Sequence, residues 1–88
     1  MFYVYILLLN NKQIYTGFSD DLRRRIKEHE AGKVRFTSQR LPIKLIHYEA
    51  YLLKTDAQRR ERYLKTTEGK RFLKQQIRDL IIKLGIGS

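Results

Sequence analysis

All eight residues at positions 2–9 are apolar or aromatic, and no other feature constrains the fold as strongly. The run is far short of the roughly 20 residues a bilayer span needs. Its aromatic and β-branched content reads as a buried strand. Asn10, Asn11 and Lys12 follow as a turn, since Asn tolerates left-handed backbone angles. Residues 13–18 then return as a second strand, so the chain is expected to open with a β-hairpin.

The rest alternates between helix and strand signals. Asp20 or Asp21 is placed to cap a helix that runs to about residue 31, where Gly32 can end it. Residues 33–42 read as a basic loop, and residues 44–51 as a third strand. Thr55 is placed to start a second helix, with Gln58 three residues on as in a capping box. Residues 68–84 predict one further helix with an apolar stripe of Phe72, Leu73, Ile77, Leu80, Ile81 and Leu84. This order implies an α+β fold: a small, three-stranded, mostly antiparallel sheet flanked by helices. A chain of 88 residues suits one domain, residues 1–88, with a thin stability margin.

Charge narrows the partner. Nineteen Lys and Arg against nine Asp and Glu leave a net charge of +10. That imbalance favours a polyanion, nucleic acid first and an acidic membrane surface second. There is no cysteine, which excludes disulfides, zinc–thiolate sites and cysteine nucleophiles. No basic segment precedes the apolar run and no small-residue cleavage site follows it, so neither a leader nor a membrane association is expected. A cytoplasmic location is the expectation.

Several polar residues fall where a core should be. On the first helix Leu22 and Ile26 are the apolar anchors. At ~100° per residue, Arg25 and His29 lie within ~60° of them, whereas Arg23 and Arg24 point away. On the second, Glu61 lies between Ala57 and Leu64. An inward charge is costly unless it is paired, bound to metal or lining a cleft. In the hairpin, Tyr5 and Tyr15 share a face only if the loop has three residues, which sets Leu9 opposite Gln13. Tyr5, Tyr15, Arg25, His29 and Glu61 thus form a candidate site: a cation for phosphate, a carboxylate for a hard metal ion, and phenol or imidazole groups to move protons. Each also has an ordinary reading. The tyrosines suit any strand, Arg25 can pair with Glu28 or Glu30, His29 suits a helix end, and Glu61 can pair with Lys65.

At Tyr3-Val4-Tyr5 and Tyr15-Thr16-Gly17 the chain resembles the GIY-YIG nuclease superfamily. The likeness continues through Asp20-Asp21-Leu22, Arg25 and His29. Gly32-Lys33, the segment from Arg40 through Leu45, Tyr48-Glu49, Arg60-Glu61 and Leu64-Lys65 resemble its small stand-alone bacterial branch. The first motif keeps only its final tyrosine. The resemblance implies three antiparallel strands flanked by helices, and hydrolysis of DNA phosphodiesters with one divalent ion, Mg2+ or Mn2+. It implies that Tyr5 and Tyr15 are the two motif tyrosines, Arg25 the family arginine, His29 the helix histidine and Glu61 the metal ligand.

On that basis the expected activity is that of a metal-dependent endonuclease acting on DNA. Arg25 would neutralise charge on the phosphoryl oxygens and Glu61 would hold the metal. Tyr5 would take a proton from the attacking water, or His29 would do so with Tyr5 positioning the water. Lys33, Arg35, Arg40 and Lys44 are the expected phosphate contacts. Two alternatives stay open: a module of the same fold that binds nucleic acid without cutting it, and a component that takes its specificity from a protein partner.

Overall fold

The computed structural model describes residues 1–86, so the last two residues of the expected domain lie outside the description. Strand β1 (Phe2–Leu8) pairs antiparallel with both β2 (Ile14–Ser19) and β3 (Lys44–Tyr51), giving the sheet order β2-β1-β3. Helices α1 (Leu22–Glu30) and α2 (Arg35–Ser38) lie between β2 and β3 in sequence. Helices α3 (Lys54–Leu64), α4 (Thr67–Gln76) and α5 (Arg78–Leu84) follow β3. The α+β class, the antiparallel three-stranded sheet and the flanking helices are as expected.

The hairpin adopts the three-residue loop. Leu9 N–H donates to the Gln13 carbonyl at 2.9 Å, and Lys12 takes the left-handed conformation at φ 71°. Tyr5 therefore opposes Gly17 and Leu7 opposes Tyr15, which sets both tyrosines on one face.

Alternation along β1 divides the interior into two cores. Val4 and Ile6 pack with Ala57, Leu64 and Leu73 on the side of α3 and α4. Tyr5, Leu7 and Leu9 pack with Tyr15, Leu22, Ile26 and Leu45 on the side of α1.

Helix α1 follows its sequence signals. Asp21 is the N-cap, its carboxylate accepting from Arg24 N–H at 3.1 Å. Gly32 ends the helix at φ 74°, where an L side chain is strained.

Three expectations are corrected. Residues 33–42 are not all loop, because α2 forms within them. Thr37 is fully buried there and draws the segment inward, and Asn10 latches it to the hairpin through the Arg40 and Leu41 carbonyls at 3.0 and 2.8 Å.

The second helix starts at Lys54 rather than Thr55. Leu53, in extended conformation, is its N-cap, with no capping side chain. The chain turns straight from β3 into the helix, so Thr55 falls within the first turn instead of ahead of it. The Thr that caps is Thr66, which accepts from Gly69 N–H at 3.0 Å and opens α4.

The single helix over 68–84 is two, broken where Ile77 leaves the helical region at φ −111°, ψ 35°. A straight helix of that length would run roughly 25 Å, most of the way across a domain of 32 × 29 × 19 Å. The break keeps Ile77 against the core and lets Ile81 bury, while Phe72 stays 46% exposed outside the expected stripe.

Candidate active site

Tyr5 stands at the centre of the predicted group. Its position in β1 aims it at α1, and its ring passes over Gly17 of β2. A Cβ on Gly17 would lie 2.2 Å from the ring carbon bearing the hydroxyl, so only glycine leaves room. The hydroxyl lies 2.8 Å from Nε2 of His29, and Arg25 donates to it through Nε at 3.4 Å. Nδ1 of His29 lies 2.7 Å from Oγ1 of Thr37, whose hydroxyl donates to the Val34 carbonyl at 3.4 Å.

The ends of this chain decide its polarity. Arg25 can only donate, and the Thr37 hydroxyl has a carbonyl to donate to. Nδ1–H then donates to Thr37, and Nε2 accepts from Tyr5. The helical period that placed Arg25 and His29 on one face thus brings both to the same hydroxyl.

Burial sets the protonation. Tyr5, His29 and Thr37 have no exposed surface. Burial pushes the Tyr5 phenol up to about 12, against the opposing pull of its hydrogen bond from Arg25. Burial, aided by the Arg25 charge, pulls the His29 imidazole down to about 4. Both are neutral near pH 7, with the proton on the phenol oxygen and a free lone pair on Nε2. No buried side-chain polar atom among the described residues lacks a partner. The network is complete, which makes each member costly to remove.

Tyr15 packs beside this network rather than bonding to it. Its ring centroid is 6.4 Å from that of Tyr5 and 5.4 Å from that of His29. Arg25 is the link to solvent. Its side chain is one-third exposed, pairs with Glu28 at 3.0 Å, and lines a cavity of about 290 Å3 with Phe18, Ser19 and Asp20 at the end of β2. Arg24 is exposed as expected and pairs with Asp20 at 3.2 Å, while bordering the same cavity as Arg25.

Glu61 reaches the network only through its field, which adds to the upward push on Tyr5. Its side chain is one-fifth exposed and pairs with Lys65 at 3.2 Å. Both ordinary pairings open in the sequence, Arg25 with Glu28 and Glu61 with Lys65, are therefore present in the same structure that gathers the site.

Of the four predicted phosphate contacts, Lys33 and Arg40 flank α2, Arg35 opens it and Lys44 opens β3. Lys33, Arg35 and Lys44 are exposed, whereas Arg40 is half-buried. The Arg40 guanidinium sits 4.5 Å from the Phe36 ring centroid and donates to the Phe36 carbonyl at 2.8 Å.

Two contributions escaped the sequence reading. Thr37 orients His29 from within the segment expected to be loop; only a lone Thr in a basic stretch marks it. Glu49 accepts from Tyr51 at 2.7 Å and from Arg60 at 2.9 and 3.3 Å, with His47 at 3.1 Å. These bonds hold its carboxyl down at about 2. They also fasten α3 to β3 one residue before Glu61.

Known proteins share this arrangement of sheet and helices. The sequence model of the GIY-YIG catalytic domain matches residues 1–75. A UPF0213 protein of Haloquadratum walsbyi is 36% identical over 81 residues, 89% of this chain and 91% of that protein. A UPF0213 protein of Clostridium perfringens is 42% identical over 66 residues, 74% of this chain and 71% of that protein. The solution NMR structure of a UPF0213 protein from Bacillus halodurans superposes with a TM-score of 0.58 at 33% identity, covering 99% of this chain and 100% of that one. Matched through every strand and the first three helices, this chain belongs to the GIY-YIG domain family.

Proposed function

We propose that this protein is a divalent-metal-dependent endonuclease that hydrolyses DNA phosphodiesters at the Tyr5–Arg25–His29 network. The observation that carries this reading is the buried hydrogen-bond chain whose one partly exposed member, Arg25, lines a cavity. In a domain of this family, that chain joins a phosphate-binding cation to a proton acceptor.

The donor set fits the metal. Glu61 offers a hard carboxylate, and no group of three or more His, Cys, Asp or Glu gathers among the described residues. One carboxylate suits Mg2+, which retains several waters and takes phosphate oxygens as further ligands. Glu61 would exchange Lys65 for the ion, and Mn2+ would suit the same oxygen. When bound, the ion supplies positive charge to the phosphate and the leaving oxygen.

This chain's own residues supply the rest. A phosphate drawn to Arg25 competes with Glu28 for the guanidinium, and turning Arg25 outward uncovers the Tyr5 hydroxyl. As water attacks phosphorus, its proton passes to the Tyr5 oxygen while the Tyr5 proton passes to Nε2 of His29, and the opposite P–O ester bond breaks, its oxygen leaving with the bonding pair and taking a proton from solvent. That shuttle needs no free phenolate, which a phenol at about 12 would not provide, and it requires Arg25 to have turned to the phosphate, because the Arg25 charge adds to the burial that holds the His29 imidazole down at about 4. Arg25 then faces the charge growing on the phosphoryl oxygens. Lys33, Arg35 and Lys44 hold neighbouring phosphates, and Tyr15 keeps the His29 ring in place. A protein partner is a further source of specificity on this reading.

The second reading, a nucleic-acid-binding module without cleavage, is favoured by the pairing of Arg25 and Glu61 with neighbours on their own helices. A panel of branched, nicked, single-stranded and duplex DNA, incubated with Mg2+ or Mn2+, separates the two. The nuclease cuts at least one substrate with either ion and none in chelator, and Glu61→Gln abolishes cutting while DNA binding persists. Binding without cutting across the panel selects the module.

A further inference from the structure

A second cavity, about 410 Å3, opens at the other end of β2 between the hairpin turn, α2, α4 and α5. Ile14 and Ile81 give it an apolar floor, Phe36 forms a wall, and Lys12, Lys70 and Lys74 surround it. None of these three lysines has a carboxylate within ion-pair distance among the described residues, a lack they share with Lys33, Arg35, Arg40 and Lys44. Lys12 also holds the left-handed loop position, at φ 71°, that hairpins of this kind usually give to glycine.

Phe36 joins this cavity to the candidate active site. It is 52% exposed, although its ring stacks on Tyr15 with centroids 5.5 Å apart and planes 28° apart and the Arg40 guanidinium lies 4.5 Å from its centroid. Tyr15 in turn lies against His29. The two cavities therefore flank the same edge strand, one at Arg25 and one at Phe36, with Tyr15 between.

An occupant of the second cavity must be planar, to match an aromatic wall over an apolar floor. It must also be anionic nearby, to match three unpaired lysines. A nucleotide is both, and the volume lies in the range of small-ligand pockets. Bases inside a duplex have their faces covered by neighbours, so only an unpaired base can offer one. We propose that this cavity receives one unpaired nucleobase of the substrate, its face against the exposed part of the Phe36 ring beside Tyr15 and Arg40, with adjoining phosphates on Lys12, Lys70 and Lys74. The proposal rests on the nuclease reading and deepens it: the strand cut is one with an unpaired base close to the cleaved bond.

The test is a cycle between protein and DNA, read by anisotropy of a labelled single strand in chelator, so that nothing is cut. The strand is compared with copies carrying an abasic residue at successive positions. At one position the missing base weakens wild-type binding roughly 5- to 150-fold. Phe36→Ala weakens binding of the intact strand by a similar factor and loses nothing further on that abasic strand. Phe36→Leu, which keeps an apolar contact with Tyr15, matches Phe36→Ala, whereas Phe36→Trp retains the coupling. Lys70→Ala and Lys74→Ala each lower the salt slope by roughly 0.7.

Losses that simply multiply overturn the base site, as does indifference to the abasic residue at every position. So does a defect in Phe36→Ala that Phe36→Leu repairs, since that marks packing alone. In each of these cases metal-dependent cleavage leaves the nuclease reading standing. A wild-type protein that binds no strand and cuts no substrate overturns both.

Discussion

The two faces of β1 are built to opposite specifications. On one, Val4 and Ile6 meet Ala57, Leu64 and Leu73 in an apolar cluster, bordered by buried Thr16 and the Glu49–Arg60 clamp. On the other, Tyr5 meets His29, Thr37 and Arg25 in a buried hydrogen-bonded chain. One strand serves both because its side chains alternate. The apolar face contributes stability through buried area, which tolerates small shifts. The polar face depends on each partner's geometry, and a buried group left alone costs about 1–3 kcal/mol. The Tyr5–His29–Thr37 network and the apolar core are thereby separated by the thickness of one sheet, while Glu61 is carried by α3, the helix that closes the apolar core.

The largest expected effect sharpens that separation. Leu64→Ala removes fully buried volume from the apolar face and should cost about 2–5 kcal/mol, read by chemical denaturation. The cleavage rate per folded molecule should stay near wild type. A variant that folds well but loses its rate would show that the faces are not independent.

The polar face should announce itself through pH. His29 is neutral in the folded protein, its pKa pulled from the usual 6.5 to about 4. The unfolded chain binds the extra proton first. Its contribution is therefore complete above pH 6.5 and is lost as pH falls through 4, by about 3 kcal/mol. Glu49 behaves likewise but lower, its contribution present above pH 4.5 and lost as pH falls toward 2. Stability measured from pH 7 to 4 should slope downward in the wild type and lie flatter in His29→Gln. Equal slopes would remove the buried neutral histidine from the account.

A smaller effect tests how the polar face opens to solvent. Glu28 holds the Arg25 guanidinium in a pair that is one-third exposed on both sides. Such pairs contribute at most about 1 kcal/mol. Glu28→Gln should therefore tighten DNA binding by a few-fold, most clearly at low salt. Unchanged or weaker binding would mean that Glu28 does not compete with phosphate for Arg25.

How much of this was legible in the sequence follows from the range of each contact. The parity rule for Tyr5 and Tyr15 was readable from the period of two, but the loop length was left open, and the three-residue loop of the structure decides it. Arg25 and His29 were readable together, because four residues nearly complete a helical turn. Thr37 was not, since its partner lies eight residues back and α2 is too short for any periodicity to appear. The break at Ile77 carries neither glycine nor proline to mark it. Glu61 could be aimed inward from α3, but its separation from Tyr5 depends on how that helix packs across the sheet. The Arg60–Glu49 clamp that governs this packing spans eleven residues between elements of different type.

The most direct test of the central claim compares two neighbouring arginines on α1. Arg25→Ala and Arg24→Ala each remove one positive charge, but only Arg25 touches the Tyr5 hydroxyl. The measurement is the single-turnover cleavage rate at saturating DNA with Mg2+. Loss of a preorganised contact to transition-state charge typically costs about 2.7–4 kcal/mol. Arg25→Ala should therefore be slower by roughly a hundredfold or more at saturation, and Arg25→Lys should recover little, since an ammonium lacks the planar fork. Arg24→Ala should cut at close to the wild-type rate once DNA is saturating. Equal defects in the two alanine variants, both reversed by lowering the salt, would contradict a catalytic Arg25 and leave nucleic-acid binding as the function of this face.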